Sequence, residues 1–264
     1  MSAGFSPRPV ALVTGAARGI GKACAVALAR SGFNILVNDR DGDEDRELLQ
    51  RLAEELDAIG AGSLPFAADV SELETHGAVV RAAVERWGRL DCLVNNAGVG
   101  VLARGDLLDV SAESFDRCIS VNTRAVFFLS QAVARHLLAQ GEIGEQHRSI
   151  VNITSSNAVA VSISRGEYCV SKCASSMTTR LFGLRLAEAG IGVYEIRPGI
   201  IETGMTLPVK ARYDSLIAGG LVPMRRWGCP ADVASIVSLM AEGRLRYTVG
   251  QAVAIDGGLT MPHF

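Results

Sequence analysis

The chain has 264 residues, 48% of them hydrophobic, with 26 Lys and Arg against 28 Asp and Glu and a formal net charge of −2. No basic excess is present to follow a phosphate backbone, which excludes nucleic acid as an expected partner. No apolar stretch reaches the ~18 residues of a spanning helix, so no membrane partner is expected and the cytoplasm is the expected compartment.

Met1 to Pro9 reads as a short tail, and the apolar run behind it as a buried strand, not a signal sequence. Val10-Ala11-Leu12-Val13 is that strand, and Thr14-Gly15-Ala16-Ala17-Arg18-Gly19-Ile20-Gly21 follows it directly and opens a helix over 19–31. Glycines at such a turn let backbone approach a pyrophosphate, whose charge faces the helix N-terminus. Dinucleotide binding is therefore expected at Gly15, Arg18, Gly19, Ile20 and Gly21; the bland reading is a tight turn. The octet lacks the Lys-Ser/Thr of a phosphate-loop nucleotidase.

A strand over 33–38 ends at Asp39, and a charged segment to Asp45 leads into a helix over 46–59. A carboxylate at Asp39 can accept both ribose hydroxyls of adenosine and repel a 2′-phosphate, which favours NAD(H). Arg18 and Arg40 argue the other way, since either can pair with that phosphate, so NADP(H) stays open. Asp39 could equally cap a turn. A strand over 63–68 precedes Asp69-Val70 and a helix over 72–87; Asp69 either meets the adenine amino group or caps that helix. A fourth strand over 91–94 ends at Asn95-Asn96-Ala97-Gly98. Two adjacent amides there can tie neighbouring strands and line the ribose, where open sheets bind ligands.

A helix over 112–138 contains a bend or begins with a separate turn, and a polar loop over 141–147 precedes a strand over 149–154. A helix over 166–189, a strand over 191–196 ending at Pro198-Gly199, an irregular stretch over 200–228, a helix from Pro230 to about 241 and a strand over 252–255 complete the chain. Continuous apolar strands alternating with amphipathic helices predict a doubly wound α/β fold: a Rossmann-type parallel sheet of about seven strands covered on both faces. Six cysteines, at 24, 92, 118, 169, 173 and 229, form no CxxC pair and read mostly as buried small hydrophobes of a reducing compartment. Histidines 76, 136, 147 and 263 form no ligand motif, so no metal is expected.

Tyr168 and Lys172 lie four residues apart and share a helix face, with Ser155 thirteen residues before the tyrosine. An ammonium one turn from a phenol favours the phenolate and lowers its pKa. Such a tyrosine exchanges a proton with a carbonyl or alcohol oxygen near neutral pH. With the glycine loop, this predicts an oxidoreductase.

The set Thr14-Gly15, Gly19-Ile20-Gly21, Asn95 to Gly98, Asn122, Ser155, Tyr168, Lys172 and Pro198-Gly199 resembles the short-chain dehydrogenase/reductase family, in its compact single-domain form, across residues 9–259. The resemblance implies one NAD(P)-binding domain over 1–264 with a substrate lid at about 204–227. It implies that Tyr168 is the acid/base, that Ser155 orients the substrate oxygen, and that Lys172 binds the nicotinamide ribose and lowers the tyrosine pKa. It further implies that Asn122 holds a relay water through a break in its helix. Asn96, Ala97, Gly98, Asp69, Val70, Pro198, Gly199, Ile201 and Thr203 meet the cofactor, with Val121 near the nicotinamide.

The family role is hydride transfer between NAD(P)(H) and a secondary alcohol or ketone. The closest broad likeness is to 3-oxoacyl-[acyl-carrier-protein] reductases, whose carrier-docking basic residues are replaced here near Gly141 and Ala189. Arg148 or Arg135 could substitute. Secondary-alcohol, sugar and polyol dehydrogenases stay open, as does a non-catalytic nucleotide sensor. The substrate wall is expected to include Val99, Gly100, Asn157, Glu167, Met205 and part of 206–227. A homotetramer or homodimer is implied, pairing the helices near 112–138 and 166–189, with Cys169, Cys173 and Met177 available to that face.

Overall fold

The computed structural model describes residues 7–141 and 143–262. His263 and most of the opening tail lie outside the described residues. Strands β1 (Val10–Thr14), β2 (Asn34–Asp39), β3 (Ser63–Ala67), β4 (Cys92–Asn95), β5 (Ser149–Ile153), β6 (Gly192–Pro198) and β7 (Ala252–Ile255) form one seven-stranded sheet. Its order is β3-β2-β1-β4-β5-β6-β7 and every neighbouring pair is parallel. The doubly wound sheet expected from the alternation is the observed one.

Side chains alternate across each strand, so one run of apolar residues serves both faces. Ala11 and Val13 face the layer of α1 (Gly19–Arg30), α2 (Asp43–Ala58) and α8 (Pro230–Ala241), where Leu28, Leu52 and Val237 are buried. Val10 and Leu12 face the other layer, where α3 (Thr75–Trp87), α5 (Val126–Gln140) and α6 (Gly166–Leu186) bury Val79, Val133 and Leu186. Among the described residues no helix is long and apolar enough to cross a membrane.

Several boundaries differ from the expectation, each for a local reason. Helix α2 starts at Asp43, not residue 46, because Asp43, Glu44 and Asp45 suit the positive end of a helix. Helix α3 starts at Thr75, because Asp69 Oδ1 accepts from Ser71 N and Oγ at 2.8 and 2.7 Å and builds a turn first. The bend expected within 112–138 is a wide π turn, Ser120–Ala125, between α4 (Ala112–Ile119) and α5. Ser111 caps α4, its Oγ accepting from Ser114 N at 3.2 Å. The irregular stretch contains a helix, α7 (Lys210–Ala218), which sequence patterning missed because it buries only Ile217.

Only half of the cysteines are buried. Cys24, Cys92 and Cys118 are inside, Cys169 is half-buried, and Cys173 and Cys229 are exposed, so the expectation of mostly buried thiols needs correcting. Cys173 lies on an outer face of α6 and Cys229 at the start of α8, while Cys169 is partly covered by Ala160 and Ser162. Burial pushes the Cys24 and Cys92 thiols up to about 12.

Candidate active site

The strand order reverses between β1 and β4, and a crevice opens there at their C-terminal ends. Thr14 holds its walls together. Its Oγ1 accepts from Asn96 N and Ala97 N, both at 3.0 Å, and donates to Val94 O at 3.3 Å. Asn96 Nδ2 closes the same seam, donating to Thr14 O at 2.9 Å and Gly15 O at 3.0 Å. Asn95 Nδ2 donates to Asn152 Oδ1 at 2.8 Å and Ser130 Oγ at 2.9 Å, tying β4 to β5 and α5. The two amides therefore act as strand ties.

Glycine is required at two places in this cradle. Gly15 has φ 62°, and a Cβ there would lie 2.8 Å from Ala97 Cα. A Cβ at Gly21 would lie 2.1 Å from Gly15 O. Thr203 stands across the loop, its Cγ2 3.5 Å from where a Cβ on Gly19 would be. The first turn of α1 has no acidic residue and no side-chain cap, so the positive end of the helix is left for an anion. These features fit the pyrophosphate of a dinucleotide.

Asp39 ends β2, where its Oδ2 accepts from Ala17 N and its Oδ1 from Arg40 N, both at 2.9 Å. Each oxygen keeps acceptor capacity for a ribose hydroxyl. Arg18 and Arg40 do not stand free. Arg18 Nη2 pairs with Asp45 Oδ1, and Arg40 Nη2 lies 3.2 Å from Asp45 Oδ2. Asp45 is 5% exposed. Asp69 borders a cavity of 770 Å³ with Arg40 and Ala68 at the ends of β2 and β3. Val70 O lies 2.7 Å from His76 Nε2, and Ile20 packs on the core. On the far wall, Gly199 N donates to Ile255 O at 2.9 Å, directly after Pro198, and buried Ile201 bridges to Gly228.

The other end of the crevice gathers Gly98, Asn122, Ser155, Tyr168 and Lys172. A Cβ on Gly98 would lie 3.2 Å from Asn122 Oδ1 and 3.3 Å from Lys172 Nζ. Asn122 is fully buried; its Oδ1 accepts from Val99 N at 2.8 Å, and its Nδ2 donates to Val99 O and Ser171 Oγ at 3.0 Å. Lys172 Nζ donates to Ile153 O at 3.1 Å and lies 5.8 Å from the Tyr168 ring centroid. Ser155 Oγ accepts from Asn157 N at 3.1 Å, and its side chain favours the ionised form of the Tyr168 hydroxyl. Val121 is half-buried in the π turn beside Asn122.

The electrostatics correct one expectation. Burial pushes the Tyr168 phenol above its ordinary value, and this outweighs the lowering by the Ser155 hydrogen bond and the Arg165 charge. Burial makes the lysine less basic in turn, bringing it down to about 8, and its ammonium is tied to Ile153 O. The helical spacing is as predicted, but spacing says nothing of desolvation.

Asp45, Ser171 and Glu195 are site residues that sequence reasoning missed, and in the sequence Thr14 reads only as part of the loop motif. Glu195 had a visible signal, a carboxylate inside an apolar strand, which must be paired if buried. It is fully buried and accepts from Thr154 Oγ1 at 2.6 Å, Ser176 Oγ at 2.8 Å and Arg197 Nε at 2.7 Å. These bonds join the end of β5, the middle of α6 and β6, and so fix the strand end before Ser155 against the helix of Lys172. Among the described residues no group of His, Cys, Asp or Glu is arranged to hold a metal ion.

A sequence family described as enoyl-(acyl carrier protein) reductase matches residues 15–260. The 3-oxoacyl-[acyl-carrier-protein] reductase FabG of Thermotoga maritima is 34% identical over 254 residues, covering 96% of this chain and 98% of that protein. The 2-dehydro-3-deoxy-D-gluconate 5-dehydrogenase of Dickeya dadantii is 35% identical over 251 residues, 94% of each chain. The crystal structure of a 3-oxoacyl-[acyl-carrier protein] reductase from Brucella melitensis in complex with NAD is 46% identical and superposes with a TM-score of 0.92, covering 97% of this chain and 99% of that one.

Glu195→Gln would leave the Arg197 guanidinium half-buried without its counter-charge. A loss of about 3 kcal/mol in unfolding free energy is expected, the scale of a broken buried pair. Urea unfolding followed by circular dichroism checks it; a parental midpoint would show that the pair does not hold these elements together.

Proposed function

This chain belongs to the short-chain dehydrogenase/reductase family and moves hydride between NAD(P)(H) and an alcohol or ketone, and we propose that Tyr168 carries the accompanying proton. The observation behind this reading is the buried ammonium of Lys172, 5.8 Å from the Tyr168 ring centroid and tied to Ile153 O at the strand end before Ser155. The bound nicotinamide supplies or accepts the hydride. As a ketone oxygen gains negative charge, Ser155 and Tyr168 both donate to it, and Tyr168 gives up its proton. Lys172 then faces the phenolate, and in alcohol oxidation the proton returns by the same route. Asn122 is a positioning residue, its amide clamping Val99 and Ser171 within the π turn.

For the cofactor, NAD(H) is the favoured reading. Asp39 offers its carboxylate to the ribose hydroxyls, and Asp45 holds Arg18 and Arg40 away from any 2′-phosphate. A non-carrier substrate is favoured over an acyl carrier. Arg148 is buried and donates to Leu137 O, Gly141 O and Ala189 O, each at 2.9 Å, which supports its use in the fold over docking. Arg135 alone of the two candidates is exposed. Residues 204–227 serve as a lid within a single domain, closing Met205, Leu207 and Met224 over the substrate; all three side chains are exposed. Val170, Met177, Leu181 and Leu184 make an exposed apolar stripe on α6 that a second copy would cover, giving a homodimer or homotetramer. Free thiols fit a reducing compartment, the cytoplasm.

Tyr168→Phe is expected to leave nucleotide binding intact and cut turnover by about 10²-fold or more, the scale of general acid–base catalysis. In the parent, carbonyl reduction needs protonated Lys172, which prevails below its value of about 8, so the reduction rate should fall as pH rises past that point. Stopped-flow and steady-state rates across pH check both; full turnover in the phenylalanine variant would remove Tyr168 from the chemistry. Asp45→Asn should release Arg18 and Arg40 and strengthen NADP(H) binding about tenfold relative to NAD(H), the scale of one charge-assisted hydrogen bond. Calorimetric titration of both cofactors into parent and variant measures it, and an unchanged ratio would count against the arginine lock. Leu184→Glu should shift sedimentation toward smaller species, whereas a parental profile would place the subunit interface elsewhere.

A further inference from the structure

Arg165 lies immediately before α6, and the reaction scheme leaves its charge unused. Its Cζ is 5.7 Å from the Tyr168 ring centroid. Its Nε is buried with no hydrogen-bond partner, and among the described residues no carboxylate is close enough to pair with it. A buried donor of a charged group is costly to leave unmade and calls for a partner. Glu167 does not supply one: it is turned to α4, where Ser114 Oγ donates to its Oε1 at 2.7 Å. Stacking on the tyrosine satisfies the guanidinium face but none of its five in-plane N–H groups.

We propose that Arg165 anchors a carboxylate of the substrate, so that the reacting molecule is a short oxo acid, or the matching hydroxy acid, whose carbonyl or alcohol group lies at Tyr168. The inference rests on the reading of Tyr168 as the proton-transfer group, because that fixes where the reacting oxygen sits. A guanidinium that stacks on the reacting tyrosine can reach a carboxylate only a few bonds from the carbonyl, and it presents the planar fork that a carboxylate matches. A thioester bound to an acyl carrier has no such charge beside its ketone, so Arg165 favours a free acid over a carrier-bound acyl group.

The test compares 3-oxobutanoate and 4-oxopentanoate with their methyl esters as substrates, in the parent, Arg165→Gln and Arg165→Lys. The parent should prefer the better acid over its ester, and in Arg165→Gln the acid-to-ester ratio of kcat/KM should fall about 10²-fold, chiefly through KM. Arg165→Lys should keep part of the preference. An acid-to-ester ratio near one in the parent, or an unchanged ratio in Arg165→Gln even if both rates drop, would overturn the proposal. Binding of the two acids to the protein loaded with NADH, measured by calorimetry, decides the matter if no turnover is seen: binding lost in Arg165→Gln supports the anchor, and no binding by the parent refutes it. The reading of Tyr168 is judged separately, by whether Tyr168→Phe loses turnover of acid and ester alike.

Discussion

The site depends on one seam, where the C-terminal ends of β1 and β4 part and Thr14 and Asn96 hold them at a set separation. Thr14 Oγ1 takes two main-chain N–H groups from the far strand, and Asn96 returns two bonds to Thr14 O and Gly15 O. The glycine loop then rests on Ala97, and Gly98 rests on Lys172 and Asn122. Loosening the seam would move the nucleotide cradle and the proton-transfer group relative to one another, and hydride transfer tolerates little of that.

Burial sets the electrostatics of the reacting end. Desolvation raises the Tyr168 phenol and lowers the Lys172 ammonium, so the two groups move apart in acidity and the ammonium becomes the stronger acid. Glu195 is a buried negative charge that works against the lowering of Lys172 while its own charge is matched by Arg197. A buried ion pair of this kind adds little net stability. Its effect is geometric: it holds the Ser155 strand end and the Lys172 helix in register.

Charge also distinguishes the two ends of the crevice. At the adenosine end Arg18 pairs with Asp45 and Glu44, Arg40 pairs with Asp45, and Asp39 presents a further negative charge. At the substrate end Arg165 has no such counter-ion. A cation beside a carboxylate is silent toward ligands, and an unpaired one is not, so the number of arginines says less than which of them have partners.

Much of this was determined by the sequence alone. Apolar strands alternating with amphipathic helices specified a parallel sheet covered on both faces, because each strand must bury two sides. The Gly15–Gly21 loop, Asn96, Ser155 and the Tyr168–Lys172 spacing were legible because each is a local pattern: a turn that only glycine allows, or two residues on one helix face. Helix α7 was not legible, since one buried residue leaves no periodicity to read. The partners of Arg18, Arg40, Arg148 and Glu195 were decided only by tertiary structure. A charged side chain looks the same in sequence whether it meets water, a ligand or a carboxylate from another element. Nor could sequence give the sign of the Tyr168 shift, because desolvation depends on everything that packs around a group and a neighbour four residues away is only one part of that.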